Sequence, residues 1–68
     1  MSLAVRKLRL QQKINQKELA RRSGLSQSFL SELEKGAKKP SYDTLIKLAA
    51  ALGVRVSDLL EESHRPHG

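Results

Sequence analysis

Apolar residues recur along this chain at helical intervals rather than in strict alternation. Leu45, Leu48, Ala49 and Leu52 stand at i, i+3, i+4 and i+7, the spacing that gathers side chains into one stripe of an α-helix. β-branched and aromatic residues are too sparse to suggest strands. The pattern predicts an all-α fold of five helices. The first runs from Leu3 to Gln12, with Val5 and Leu8 turned inward. Asn15 is placed to cap a second helix, Gln16 to Ser23, and Glu18 completes a capping-box pattern. Gly24 follows, where the chain needs a positive φ. Ser26 caps a third helix, Gln27 to Lys35, which Gly36 ends. Beyond the basic loop 37–40, Ser41 caps the fourth helix and Gly53 stops it. Ser57 is expected to cap a short fifth helix through Glu62. One domain, 1–62, is expected, with 63–68 as a disordered tail.

The third helix has two unlike sides. On a helical wheel Ser26, Leu30 and Leu33 share one side, while Gln27, Ser28, Ser31, Glu32 and Lys35 fall within an arc of ~140° on the other. Phe29 stands at one border and Glu34 at the other. An ordinary surface helix fills its outer face with long Lys/Glu pairs. This one opens with Gln, Ser and Ser, side chains that exchange hydrogen bonds with base edges. Gln can bond adenine N6 and N7 together, and Ser can donate or accept.

Charge points the same way. The net charge is +6, and it is unevenly spread. Up to Lys39 there are ten Lys/Arg against three acids, and from Pro40 onward three against four. The basic half holds the helix pair, and such a patch favours polyanions, nucleic acid before anionic membrane. With 68 residues and no cysteine, the domain is small and has neither disulfide nor thiolate zinc site to support it. Stability must come from helix packing, with dimerisation as a further source. No apolar run approaches the ~20 residues that span a bilayer, and the opening MSLAVRKLRL holds no apolar stretch of the length a secretory signal needs. A soluble protein of the cytoplasm, associated with the nucleoid, is expected, with no membrane partner.

The residues along 5–60 resemble the Cro and phage-repressor type of helix-turn-helix, the xenobiotic-response-element family. The phrases NQKELA, GLSQSFLSELEKG and KKPSYDTLIKLAAALGV each match its pattern in order. Leu19 and Leu25 pack the helix pair, Ala20 is small where the helices cross, Gly24 makes the turn, and Leu30 and Leu33 anchor the third helix. The resemblance implies a compact five-helix, lambda-repressor-like domain whose third helix reads double-stranded DNA in the major groove. It implies that Gln27 and Ser28 are the main base readers, with Ser31 and Glu32 at secondary base or backbone positions. Glu32 has two open roles, accepting from cytosine N4 or pairing with a neighbouring Lys or Arg. Phe29 is open too, between flanking the core and touching a thymine methyl or sugar. Gln16 is implied to bond phosphate and to brace Gln27. Lys35, Lys38 and Lys39 are implied to meet the DNA backbone, and the amides of Ser41 and Tyr42 offer a further phosphate site. Arg9 and Glu34 match a structural ion pair between the first and third helices. Relatives dimerise through the last helix and its preceding loop, which here means Val54, Val56, Leu59 and Leu60, some of them shared with the core.

Catalysis finds no support. No Ser/His/acid arrangement and no Gly-rich phosphate loop is present, and the two histidines, His64 and His67, stand in the tail. No metal, cofactor or small-molecule effector is expected in so small a domain. The expected function is a transcriptional regulator, a repressor in the first instance, that binds operator half-sites as a homodimer. Two alternatives stay open: an antitoxin-type protein-interaction module that also binds DNA, and a DNA-binding fragment of a longer regulator.

Overall fold

The computed structural model describes residues 3–60 and contains five helices in that span: α1 (Val5–Gln11), α2 (Gln16–Ser23), α3 (Gln27–Lys35), α4 (Tyr42–Leu52) and α5 (Val56–Leu59). The expected disordered tail at 63–68 and the expected helix end at Glu62 lie outside the described residues. Three helix starts follow directly from side-chain chemistry. The side chains of Asn15, Ser26 and Ser41 accept from the backbone N–H groups of Glu18, Phe29 and Thr44, so each supplies one acceptor to a helix end that lacks partners.

The helix ends share one device. At Gly24 (φ 75°) and Gly36 (φ 80°) the chain turns left-handed. The next residue then bonds backward, Leu25 N–H to Ala20 C=O at 3.0 Å and Ala37 N–H to Glu32 C=O at 2.9 Å. α1 ends in the same way without glycine. Lys13 adopts φ 60°, and Ile14 N–H bonds Arg9 C=O at 3.2 Å. The strain of that lysine is opposed by tertiary structure, because Arg9 Nη1 donates to Ile14 C=O at 3.0 Å and clamps the turn.

The core is formed by Val5, Leu19, Ala20, Leu30, Leu33, Leu45, Leu48, Ala49, Leu52 and Leu59, drawn from all five helices. α4 lies at its centre, packed against α1, α2 and α5. Two bonds tie distant segments: Ala4 N–H donates to Leu59 C=O at 2.9 Å, and Gln12 Nε2 donates to Leu52 C=O at 2.7 Å. The second satisfies one of the carbonyls left over at the end of α4.

The first and last helices depart from expectation. α1 begins at Val5 rather than Leu3. Ser57 does not cap α5, because it lies inside the helix and Arg55 occupies the cap position. There the Asp58 carboxylate reaches back and accepts from Arg55 N–H at 2.9 Å.

On the exposed side of α2, Glu18 accepts from Arg21 and Arg22. The hydrogen bond from Arg21, followed by that from Arg22, brings the Glu18 carboxyl down from its usual 4.5 to about 2. A group whose pKa is lower folded than unfolded stabilises the fold above its unfolded pKa, and that contribution fades as pH falls through the folded value. Thermal melts from pH 6 downward are therefore expected to show Glu18→Gln losing stability less steeply than the parent between about pH 4.5 and 2. The exposed site keeps the effect small and salt-sensitive. Parallel curves for the two proteins would remove Glu18 as a source of acid sensitivity.

Candidate nucleic-acid interface

α3 is held from behind and open in front. Leu30 and Leu33 are buried in the core, while Gln27, Ser28 and Lys35 are exposed and Ser31 and Glu32 half-buried. These five front-facing residues, with Gln16 at the start of α2, line one shallow concavity. The structure thus brings together Gln16, Gln27, Ser28, Ser31, Glu32 and Lys35. Phe29 is half-buried and packs against the edge of the core, so the core-flank role is present in the fold.

The back of the interface is fixed by one carboxylate. Glu34 accepts from Arg9 Nε at 2.8 Å and from Arg9 Nη2 at 3.1 Å, a two-pronged pair joining α3 to α1. Gln16 Nε2 also donates to it, at 3.0 Å, joining α2. The Arg9 and Glu34 side chains are only 9% and 3% exposed, so water does little to screen them. Gln16 is held by Glu34 and not by Gln27: among the described residues no hydrogen bond links the two glutamines. The resemblance implied that Gln16 braces Gln27, whereas here one of its two amide hydrogens goes to Glu34 and the other is left for a further acceptor. Wheel position alone did not reveal this, because Glu34 sits at the border of the two faces and its partners come from other helices.

The loop after α3 lies beside the polar face of that helix. Lys38 Nζ is 3.3 Å from Glu32 Oε1 and 5.9 Å from the centre of the Phe29 ring. Of the two roles left open for Glu32, the pairing one is thus occupied in the free protein. Lys39 is exposed. At the start of α4 the Ser41 hydroxyl is engaged with Thr44, and Tyr42 is 70% exposed.

The four residues at the expected dimer surface divide. Leu59 is fully buried within its own chain, where it closes the core, so it has no surface to offer a second copy. Val54, Val56 and Leu60 are half-buried. A helix of four residues carries too little periodicity to have told Leu59 from Leu60 beforehand. Among the described residues no three His, Cys, Asp or Glu side chains converge as a metal site. His64 and His67 lie outside the described residues. No helix among the described residues is long and apolar enough to cross a membrane.

An exposed, polar helix braced against a second helix across a glycine turn defines the helix-turn-helix class, and sequence comparison agrees. Residues 5–59 match the family model described as helix-turn-helix. The chain belongs to that family, in its Cro/C1 type, and its fold is the lambda-repressor-like domain. It is 44% identical over 54 residues to the uncharacterized HTH-type transcriptional regulator y4dJ of Sinorhizobium fredii, covering 79% of this chain and 70% of that protein. It is 36% identical over 58 residues to the immunity repressor protein of Bacillus phage phi105, covering 85% of this chain and 40% of the repressor. The N-terminal DNA-binding domain of SinR from Bacillus subtilis superposes with a TM-score of 0.79 at 34% identity, covering 90% of each chain. The chain spans less than half the length of several curated relatives that it matches. The class so defined is the DNA-binding transcriptional regulators, not enzymes.

Proposed function

We propose that this domain docks α3 in the major groove of operator DNA and represses transcription by occupying the site, acting at the nucleoid in the cytoplasm. Gln27 and Ser28 read base edges first, at the exposed start of α3. Ser31 and Glu32 lie one turn further on, and Phe29 faces a thymine methyl or sugar with the part of its ring that the core leaves open. Gln16, Lys35, Lys38, Lys39 and the amides of Ser41 and Tyr42 meet phosphates, and these contacts set the register on the duplex. The observation that carries the reading is the concavity itself: short polar side chains of α3 lie exposed along one face, flanked by Gln16 and Lys35 and backed by fully buried leucines.

A single copy of α3 presents few base-reading groups. Two copies reading half-sites about one helical turn apart (~34 Å) supply the missing specificity. Val54, Val56 and Leu60 are the apolar side chains proposed for the contact between copies, with Leu59 left to the core.

Selection of bound duplexes from a random pool at physiological salt tests the proposal. A palindromic consensus with half-sites one turn apart is the expected product. Gln27→Ala, carried through the same selection, is expected to weaken binding by about 1–3 kcal/mol and to relax the consensus at one position of each half-site. A pool that returns no consensus would sink the operator reading. A consensus unchanged by Gln27→Ala would remove Gln27 from the reading set.

A further inference from the structure

Glu32 stands among the groups that would face DNA, where a carboxylate repels phosphate. The end of α3 explains why the fold tolerates it. The backward bond from Ala37 N–H to Glu32 C=O folds the loop over the last turn of the helix. Lys38 thereby comes alongside Glu32, with Nζ 3.3 Å from Oε1, and near the Phe29 ring at 5.9 Å from its centre. The Lys38 and Glu32 side chains are 56% and 45% exposed. A pair so exposed to water is weak and exchanges partners readily.

We propose that the Glu32–Lys38 pair is a conditional clasp that makes a phosphate contact depend on base identity. The inference rests on the docking of α3 proposed above. Lys38 can serve Glu32 or a phosphate. If it leaves for phosphate, Glu32 faces a polyanion with its charge unanswered. A cytosine amino group in reach of Glu32 removes that penalty, because N4 donates to the carboxylate. On such a duplex Lys38 is released and gains a phosphate. On a duplex without that donor Lys38 stays with Glu32, and the loop contributes one phosphate contact fewer. The pair thus suppresses binding to the wrong sequence as well as supporting the right one.

Salt dependence counts phosphate contacts, because each contributes ~0.9 to the slope of log affinity against log salt on B-form DNA. The test uses the selected consensus duplex and a scrambled duplex of equal length, with four proteins: parent, Glu32→Gln, Lys38→Ala and the double variant. For the parent, the slope is expected to be steeper on the consensus than on the scrambled duplex. Glu32→Gln frees Lys38 everywhere, so its slope on the scrambled duplex steepens by ~0.9 and its discrimination falls roughly fivefold, the low end for one base contact. In the Lys38→Ala background, Glu32→Gln is expected to leave the scrambled-duplex slope unchanged. Loss of one negative charge raises affinity in both backgrounds, so equal steepening with and without Lys38 would overturn the clasp. A consensus lacking any G·C pair whose exchange alters Glu32-dependent binding would overturn it as well. In either case the operator reading survives. A pool without consensus removes the docking of α3, and the clasp with it.

Discussion

Glu34→Ala is expected to destabilise the domain by about 3–5 kcal/mol, because it strands a buried guanidinium. Arg9 would lose both prongs of its ion pair, and Gln16 its acceptor on α3. The Arg9 and Glu34 side chains are under one-tenth exposed, so water cannot replace the lost carboxylate without opening the junction of three helices. For a domain of this size each kcal/mol moves the melting temperature by roughly 4–8 °C, so a fall of well over 10 °C is expected. Removing both charges is a different experiment. Arg9→Met combined with Glu34→Leu leaves no stranded ion and is expected to recover much of the loss, since buried pairs replaced together by apolar residues often cost little. A loss below about 1 kcal/mol for Glu34→Ala would show that the pair behaves as a surface contact. The same melts separate scaffold from reader. Arg9→Ala is expected to lower the melting temperature while leaving the selected DNA consensus intact, and a changed consensus would place Arg9 on DNA.

Leu30→Ala is expected to cost about 2–5 kcal/mol, from lost burial plus the cavity left behind. Leu30 has no exposed surface and lies behind the polar face of α3. So small a domain has little stability in reserve, and a loss at the upper end of that range leaves it largely unfolded at ambient temperature. Leu30→Met keeps the volume and is expected to cost less than about 1.5 kcal/mol. Denaturant melts of the two variants check the difference. If both retained the parental midpoint, the packing of α3 against the core would be far looser than the burial of Leu30 implies.

The parts of the fold that were legible in sequence are those decided within one turn of chain. Asn15, Ser26 and Ser41 start helices through their own side chains, and Gly24, Gly36 and Gly53 stop them through their own φ, so α2, α3 and α4 could be bounded from local residues. The two terminal helices depend on reach. Asp58 accepts from a backbone group three residues back, which displaced the expected Ser57 cap. The turn after α1 holds a lysine at positive φ under a clamp from Arg9, for which no glycine gave notice. The site divides likewise. The front of α3 follows from helical periodicity, and the Arg9–Glu34 pairing from the family pattern. The attachment of Gln16 to Glu34, and the choice of Lys38 as the partner of Glu32, required three-dimensional proximity that no spacing rule encodes.

Within α3 the two tasks alternate along a single helix. Glu34 carries the bonds to α1 and α2, and Leu30 and Leu33 carry the packing, while Gln27 and Ser28 stand outside both. The lettering on this helix is therefore interchangeable type set in a fixed frame. On the docking proposed above, substitutions at the exposed positions 27 and 28 give a descendant of this gene a new address without refolding, since surface substitutions that spare the Ser26 cap and the core shift stability by only about ±0.5 kcal/mol. Drift at 34 has no such freedom: it must be answered at residue 9 in the same lineage, or the frame fails before the text is read.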